Sequence, residues 1–199
     1  CRMMLTVYPV ESSVLDQADE FARLRQVLID TTIFGAGLQG LNNGALDHPV
    51  LDAAKWDSTP LLRSLRATAI RQLGTSGGGN HFADVGVFTL ESAWQEFGLA
   101  PGQYLALLTH SGSRGVGARI ADHYSSLAMS LMPSLNEAVK HLAWLPLASE
   151  PGAEYWYAMT LAGEFASANH HTIHDRFADV LGVKPIAALE NHHNFAWRE

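Results

Sequence analysis

The chain alternates between stretches whose apolar residues recur every three or four positions and short runs that are apolar almost throughout. Val14, Phe21, Leu24 and Leu28 follow the first pattern, so a helix is expected behind a Ser13 cap, running out before Gly35-Ala36-Gly37. Pro60 suits a first helical position, and the helix from Leu61 to Leu73 should stop at Gly74. Ile120, Tyr124, Leu127 and Leu131 mark a third helix, ended by Pro133. A longer one, from about Glu154 to Leu181, carries Trp156, Met159, Gly163, Ala166, Ile173 and Phe177 on one stripe and ends at Gly182. The second pattern predicts strands. Cys1 to Tyr8 reads as the inside of one, His81 to Leu90 and Tyr104 to Thr109 as two more, and a last begins at Pro185 and leads to His192-His193-Asn194. Helices and strands mixed in this way, with no internal repeat, predict an α/β (mixed α+β) domain.

Composition places the domain among water-soluble globular proteins: 47% of residues are hydrophobic and no apolar run is long enough to cross a bilayer. Its 199 residues fit one domain or part of a larger one. No basic segment followed by an apolar one suggests export, and a single cysteine, Cys1, excludes an internal disulfide framework, so a reducing cytoplasmic setting is expected. The formal charge of −7 argues against gripping nucleic acid by charge alone. Arg63, Arg66 and Arg71 share a helix and read as a solvated face. Because the chain opens inside a strand and closes in Phe195-Ala196-Trp197-Arg198-Glu199 without a terminating signal, an internal fragment is expected.

Two glycine-rich stretches change the picture: Gly74-Thr75-Ser76-Gly77-Gly78-Gly79-Asn80-His81-Phe82 and His110-Ser111-Gly112-Ser113-Arg114-Gly115. Glycines let backbone N–H groups turn toward an anion, and the second loop opens a helix, whose N-terminus favours negative charge. Each stretch also places a histidine at a strand end, where a neutral imidazole can ligate a metal. Of the ten histidines, His48, His123 and His141 have no evident partner. His170-His171-Thr172-Ile173-His174 has a chelating spacing, but a zincin needs Glu where His171 stands, and His170 falls on the apolar stripe. A role in helix packing is the stronger reading there. Cys1, His81, His110 and His193 all sit at or beside strand ends and suggest zinc by residue type, although their scattered spacing is a weak signal.

The two glycine stretches, Ala158-Met159 through Phe165-Ala166-Ser167-Ala168-Asn169, and His193-Asn194 resemble, in this order, the RtcB family of GTP-dependent RNA ligases. Cys1-Arg2-Met3 is similar to the end of that family's Asp-x-x-Cys-Gly-Met motif. The resemblance spans residues 1–199 as one RtcB-like catalytic domain fragment, with central mixed sheets flanked by helices and incomplete at both ends. It implies two manganese ions bridged by Cys1, with His81 on one and His110 and His193 on the other. It further implies nucleotide contacts from Asn80, Phe82, Asp84, His193 and Asn194, and an RNA-phosphate site at Ser111 and Arg114. Without the resemblance, Arg114 reads equally well as a helix-start arginine in a surface salt bridge.

The implied reaction joins an RNA 2′,3′-cyclic phosphate or 3′-phosphate, on tRNA halves or damaged RNA, to a 5′-hydroxyl. GMP is placed first on a histidine, then on the 3′-phosphate, and finally expelled. The chain departs from the pattern: Asp84 stands for the usual Glu, Arg2 for Gly, and His170 for the Arg after Asn169. The histidine that receives GMP, the guanine-binding lysine and the metal-binding Asp ahead of the cysteine have no counterpart in residues 1–199, so no catalytic nucleophile is assigned here. Two other readings stand beside this one: a metal-dependent phosphoesterase, and a non-catalytic binder of RNA ends or nucleotide.

Overall fold

Strand β1 (Arg2–Glu11) is apolar on both faces because it lies inside a four-stranded sheet. In the computed structural model, which describes residues 1–35, 46–193 and 195–197, its neighbours are β5 (Gly102–Ser111) on one side and β6 (Ala187–His192) on the other. Beyond β5 lies β4 (Phe82–Leu90), giving the order β4-β5-β1-β6 with every pair antiparallel. A second, parallel pair joins β2 (Ile33–Phe34) to β3 (Thr75–Gly77).

One face of the main sheet carries Tyr8, Leu105 and Leu107, which pack with Leu24 and Val27 of helix α1 (Ala18–Thr31) and Phe177 and Leu181 of helix α4 (Glu150–Leu181). A larger core joins α4 to α2 (Pro60–Gln72) and α3 (Arg114–Leu131) through Leu62, Leu65, Ile120, Leu161 and Phe165, with Trp56 fully buried among them. On the opposite sheet face Val7 and Ala187 meet Leu99, Phe88 and Trp94. No helix among the described residues is long and apolar enough to cross a membrane.

Several expectations need correction. The main sheet is wholly antiparallel, and only the small β2–β3 pair is parallel, so the central sheet is not mixed. Ser13 caps nothing. Residues Ser12–Asp16 form a 3-10 turn, and α1 starts after Gln17 with Asp19 and Glu20 in its first turn, where acidic groups suit the helix dipole. Phe21 is half exposed, so Leu24 and Val27 form the buried face instead. Helix α4 begins at Glu150, capped by Ser149 Oγ accepting from Gly152 N at 3.2 Å. It buries more than one stripe, because Leu161 and Phe165 face α2 and α3 while His170, His174 and Phe177 face the sheet. The α2 expectation agrees with the structure: Thr59 caps it ahead of Pro60, and the chain turns at Gly74 with φ +74°.

Candidate metal centre

Strand register assembles the site. Met3 pairs with His110, and His110 with Phe82, while Arg2 lies opposite both Ser111 and His192. Cys1, His81 and His193 each stand one residue outside a strand, at the same rim. The amide of His193 closes that rim by donating to the Cys1 carbonyl at 3.2 Å. Side chains alternate along a strand, so Thr109 points to α4 while His110 points to the opposite face, toward Phe82.

Cys1, His110 and His193 offer ligand atoms that all lie within 4.8 Å of one another. His110 Nδ1 donates to the Asn80 carbonyl at 2.9 Å, which leaves the lone pair on Nε2, turned to His193 Nε2 at 2.9 Å. Two nitrogens so spaced suit a shared ion at roughly 2.0–2.1 Å from each. The carbonyl behind His110 is the kind of outer partner that fixes the tautomer of a metal-binding imidazole. Burial, and then the neighbouring His110, lower the His193 pKa, the direction that favours the neutral form a ligand must take.

His81 stands one step away. Its Nε2 is 3.7 Å from Cys1 Sγ and its ring meets that of His110 edge-on, with centroids 5.7 Å apart. Its Nδ1 accepts from Arg114 Nη1 at 3.2 Å, which puts the proton of the neutral ring on Nε2, facing Cys1 Sγ. Burial, then the Arg114 cation, lower its pKa. A thiol and two imidazoles, one already backed by a carbonyl, fit a borderline divalent metal such as manganese or zinc, and His81 can join them only when its lone pair is turned from Arg114 to Nε2.

Arg114 starts α3 at φ +54°, the only non-glycine residue with positive φ among those described. Its Nε donates to Thr75 Oγ1 at 3.1 Å, so the guanidinium spans the two glycine stretches, and among the described residues it makes no ion pair with a carboxylate. Ser111 is fully buried, and its hydroxyl donates to the Ser76 carbonyl at 2.7 Å, which leaves main-chain groups as its route to an anion. Asn80 is exposed and contributes its carbonyl; Asp84 is exposed on the same sheet face as Phe82 and His110. Asn194 lies outside the described residues.

Sequence reasoning missed the residue that locks the loops together. Asn169, fully buried on α4, accepts from Thr75 N at 3.1 Å and donates to Thr75 O at 2.9 Å and Ser111 Oγ at 3.4 Å. A polar residue flanked by buried apolar positions was the available signal, since a buried amide must find partners. One turn on, His174 bonds Thr6 and Thr109 hydroxyls at 2.8 Å each, and His170 bonds Thr109 at 2.6 Å. These two histidines are packing groups, while exposed His171 pairs with Glu190.

A family model described as tRNA-splicing ligase RtcB matches residues 19–199. An RNA-splicing ligase RtcB homolog 1 from Entamoeba dispar is 31% identical over 140 residues, covering 66% of this chain and 26% of its own length. A tRNA-splicing ligase RtcB from Methanococcus maripaludis is 33% identical over 135 residues, covering 63% and 28%. That from Pyrococcus abyssi is 28% identical over 212 residues, covering 86% and 23%. The chain spans about a quarter of the length of these relatives. The matched stretch takes in both glycine loops, three of the clustered histidines and Asn169, with Cys1 ahead of it, and by that match the chain belongs to the RtcB family of tRNA-splicing ligases.

Proposed function

We propose that residues 1–199 supply the metal- and phosphate-binding part of one RtcB-like catalytic domain. The protein joins RNA 2′,3′-cyclic phosphate or 3′-phosphate ends, on tRNA halves or damaged RNA, to 5′-hydroxyl ends in the cytoplasm, using GTP and manganese. The observation that carries the reading is the convergence of Cys1, His110 and His193 in a chain of this family. Cys1, His110 and His193 would hold one ion, and Cys1 with His81, its Nδ1 released by Arg114 so that Nε2 carries the lone pair, a second. Bound there, the ions would supply Lewis acidity and offset charge on phosphoryl oxygens.

The remaining work falls to the chain itself. The Asn80 carbonyl keeps the His110 lone pair aimed at the ion. Arg114 offers a planar fork to an oxyanion, helped by the main-chain amides of Ser111 to Gly115. Asn80, Phe82, Asp84, His193 and Asn194 serve the guanine nucleotide, with Phe82 and Asp84 on the open sheet face. The histidine that accepts GMP lies outside residues 1–199.

Manganese titration by calorimetry tests the reading. The chain should bind the ion, and His110→Ala should weaken binding by at least tenfold with the far-UV spectrum unchanged. Equal affinity in the two proteins would overturn it.

A further inference from the structure

On the helical side of Cys1 a cleft of about 430 Å³ opens between α3 and α4. Its floor is Ile120, Met159, Ala162 and Ala166, and its walls carry the aromatic rings of Tyr155 and Phe195. Cys1 and Ser113 also line it, so the cleft adjoins both the metal ligands and the loop that presents Arg114. Phe82 and Asp84 lie on the other face of the sheet. The cleft and the Phe82–Asp84 surface therefore lie on opposite sides of the sheet.

We propose that this cleft seats the terminal nucleoside of the RNA end whose phosphate sits at the metal centre. The proposal rests on the ligase reading above. Size permits it, since small-molecule pockets of this volume hold one nucleoside-sized group. Chemistry favours a base over a second phosphate. Among the described residues that line the cleft, Arg2 is the one with a cationic side chain, and it is already ion-paired through Nε with Glu190 at 2.8 Å and reaches the Gly163 carbonyl through Nη1 at 3.5 Å. With that charge matched, the cleft offers apolar floor and aromatic faces, on which any base can stack.

Phe195 also belongs to an aromatic cluster: its ring lies 5.0 Å from that of His192 and 5.4 Å from that of Trp197. Trp197 is 63% exposed, which extends the stacking surface outward from the cleft. A nucleotide placed here has its phosphate on the Cys1 side and its neighbouring base toward Trp197.

The test uses the manganese-loaded chain and four probes: adenosine 3′-monophosphate, uridine 3′-monophosphate, adenosine 5′-monophosphate and inorganic phosphate. Both 3′-nucleotides should bind at least tenfold tighter than phosphate. Ala121→Phe, on the exposed rim of α3, fills the cleft and should abolish that advantage while manganese and phosphate binding stay unchanged. Phe195→Ala should reduce it several-fold. The inference is overturned if the 3′-nucleotides bind no tighter than phosphate, if Ala121→Phe binds them normally, or if the 5′-nucleotide binds as well. If the chain takes no manganese, the ligase reading fails separately; the cleft is then judged with adenosine alone, whose binding must still be lost in Ala121→Phe.

Discussion

The guanidinium of Arg114 rests on Gly77 so closely that a Cβ built on that glycine would meet Nη1 at 1.8 Å. Gly77 also has φ +101°, a conformation that side-chain-bearing residues avoid. Gly77→Ala should therefore displace Arg114 from His81 and lower stability by about 1–3 kcal/mol. Urea denaturation reads the stability, and sulfate titration should show weakened anion binding. Unchanged sulfate affinity would mean that Arg114 does not need this seat.

Arg114→Lys should weaken sulfate or phosphate binding by roughly tenfold, because a point charge loses the bidentate grip. It also loses the bonds to Thr75 and His81 that span the two loops. If the lysine variant binds phosphate normally at low salt, the arginine is positional at most.

Asn169→Leu removes the side chain that pairs with both main-chain groups of Thr75. Leaving those groups buried and unpaired should cost about 2–4 kcal/mol in urea unfolding. Asn169→Asp keeps the acceptor and loses the donors to Thr75 O and Ser111, and should be no milder, since it also buries a charge. A loss below half a kcal/mol in either, as urea reads it, would contradict the role.

His170 and His174 give the fold an acid weakness. Burial first, with other histidines adding to it at His174, pushes His170 down to about 4 and His174 to about 3 from the ordinary 6.5. Above pH 6.5 neither the folded nor the unfolded chain protonates them. Below it the unfolded chain binds the protons first, so stability falls with pH at about 1.4 kcal/mol per unit for each histidine. Exposed His171, raised by its bond to Glu190, acts in the opposite direction but more weakly. The unfolding free energy read from urea titrations should drop by a few kcal/mol between pH 7.5 and 5. A flat profile would show that the two rings are not neutral inside the fold.

Incubated with labelled GTP and manganese and then denatured, residues 1–199 should retain no covalent label, because none of their histidines matches the family's acceptor. Stable label would point to His192, beside the centre, as a nucleophile.

Local signals were legible and long-range ones were not. Pro60, Gly74 and Gly182 marked helix limits because their backbone chemistry acts within a turn. The two glycine loops showed where an anion site would form. Pairing of Met3 with His110, by contrast, depends on residues more than a hundred positions apart, and nothing local encodes it. Strand-end positions set His81, His110 and His193 apart from the other histidines as a weak signal, and the resemblance to a family made them one site. Asn169 was within reach and overlooked, since a buried amide inside an apolar helix asks for partners.

Strand register has a further consequence, for folding. In β5 the residues on either side of His110 are Thr109, facing α4, and Ser111, fully buried. A slip of one residue against β1 would turn the His110 imidazole away from Cys1 and set a hydroxyl in its place. Metal affinity therefore reports on pairing fidelity, and an ion that binds only the correctly zipped sheet removes misregistered chains from the population by mass action. The ion would proofread the sheet before any substrate arrives.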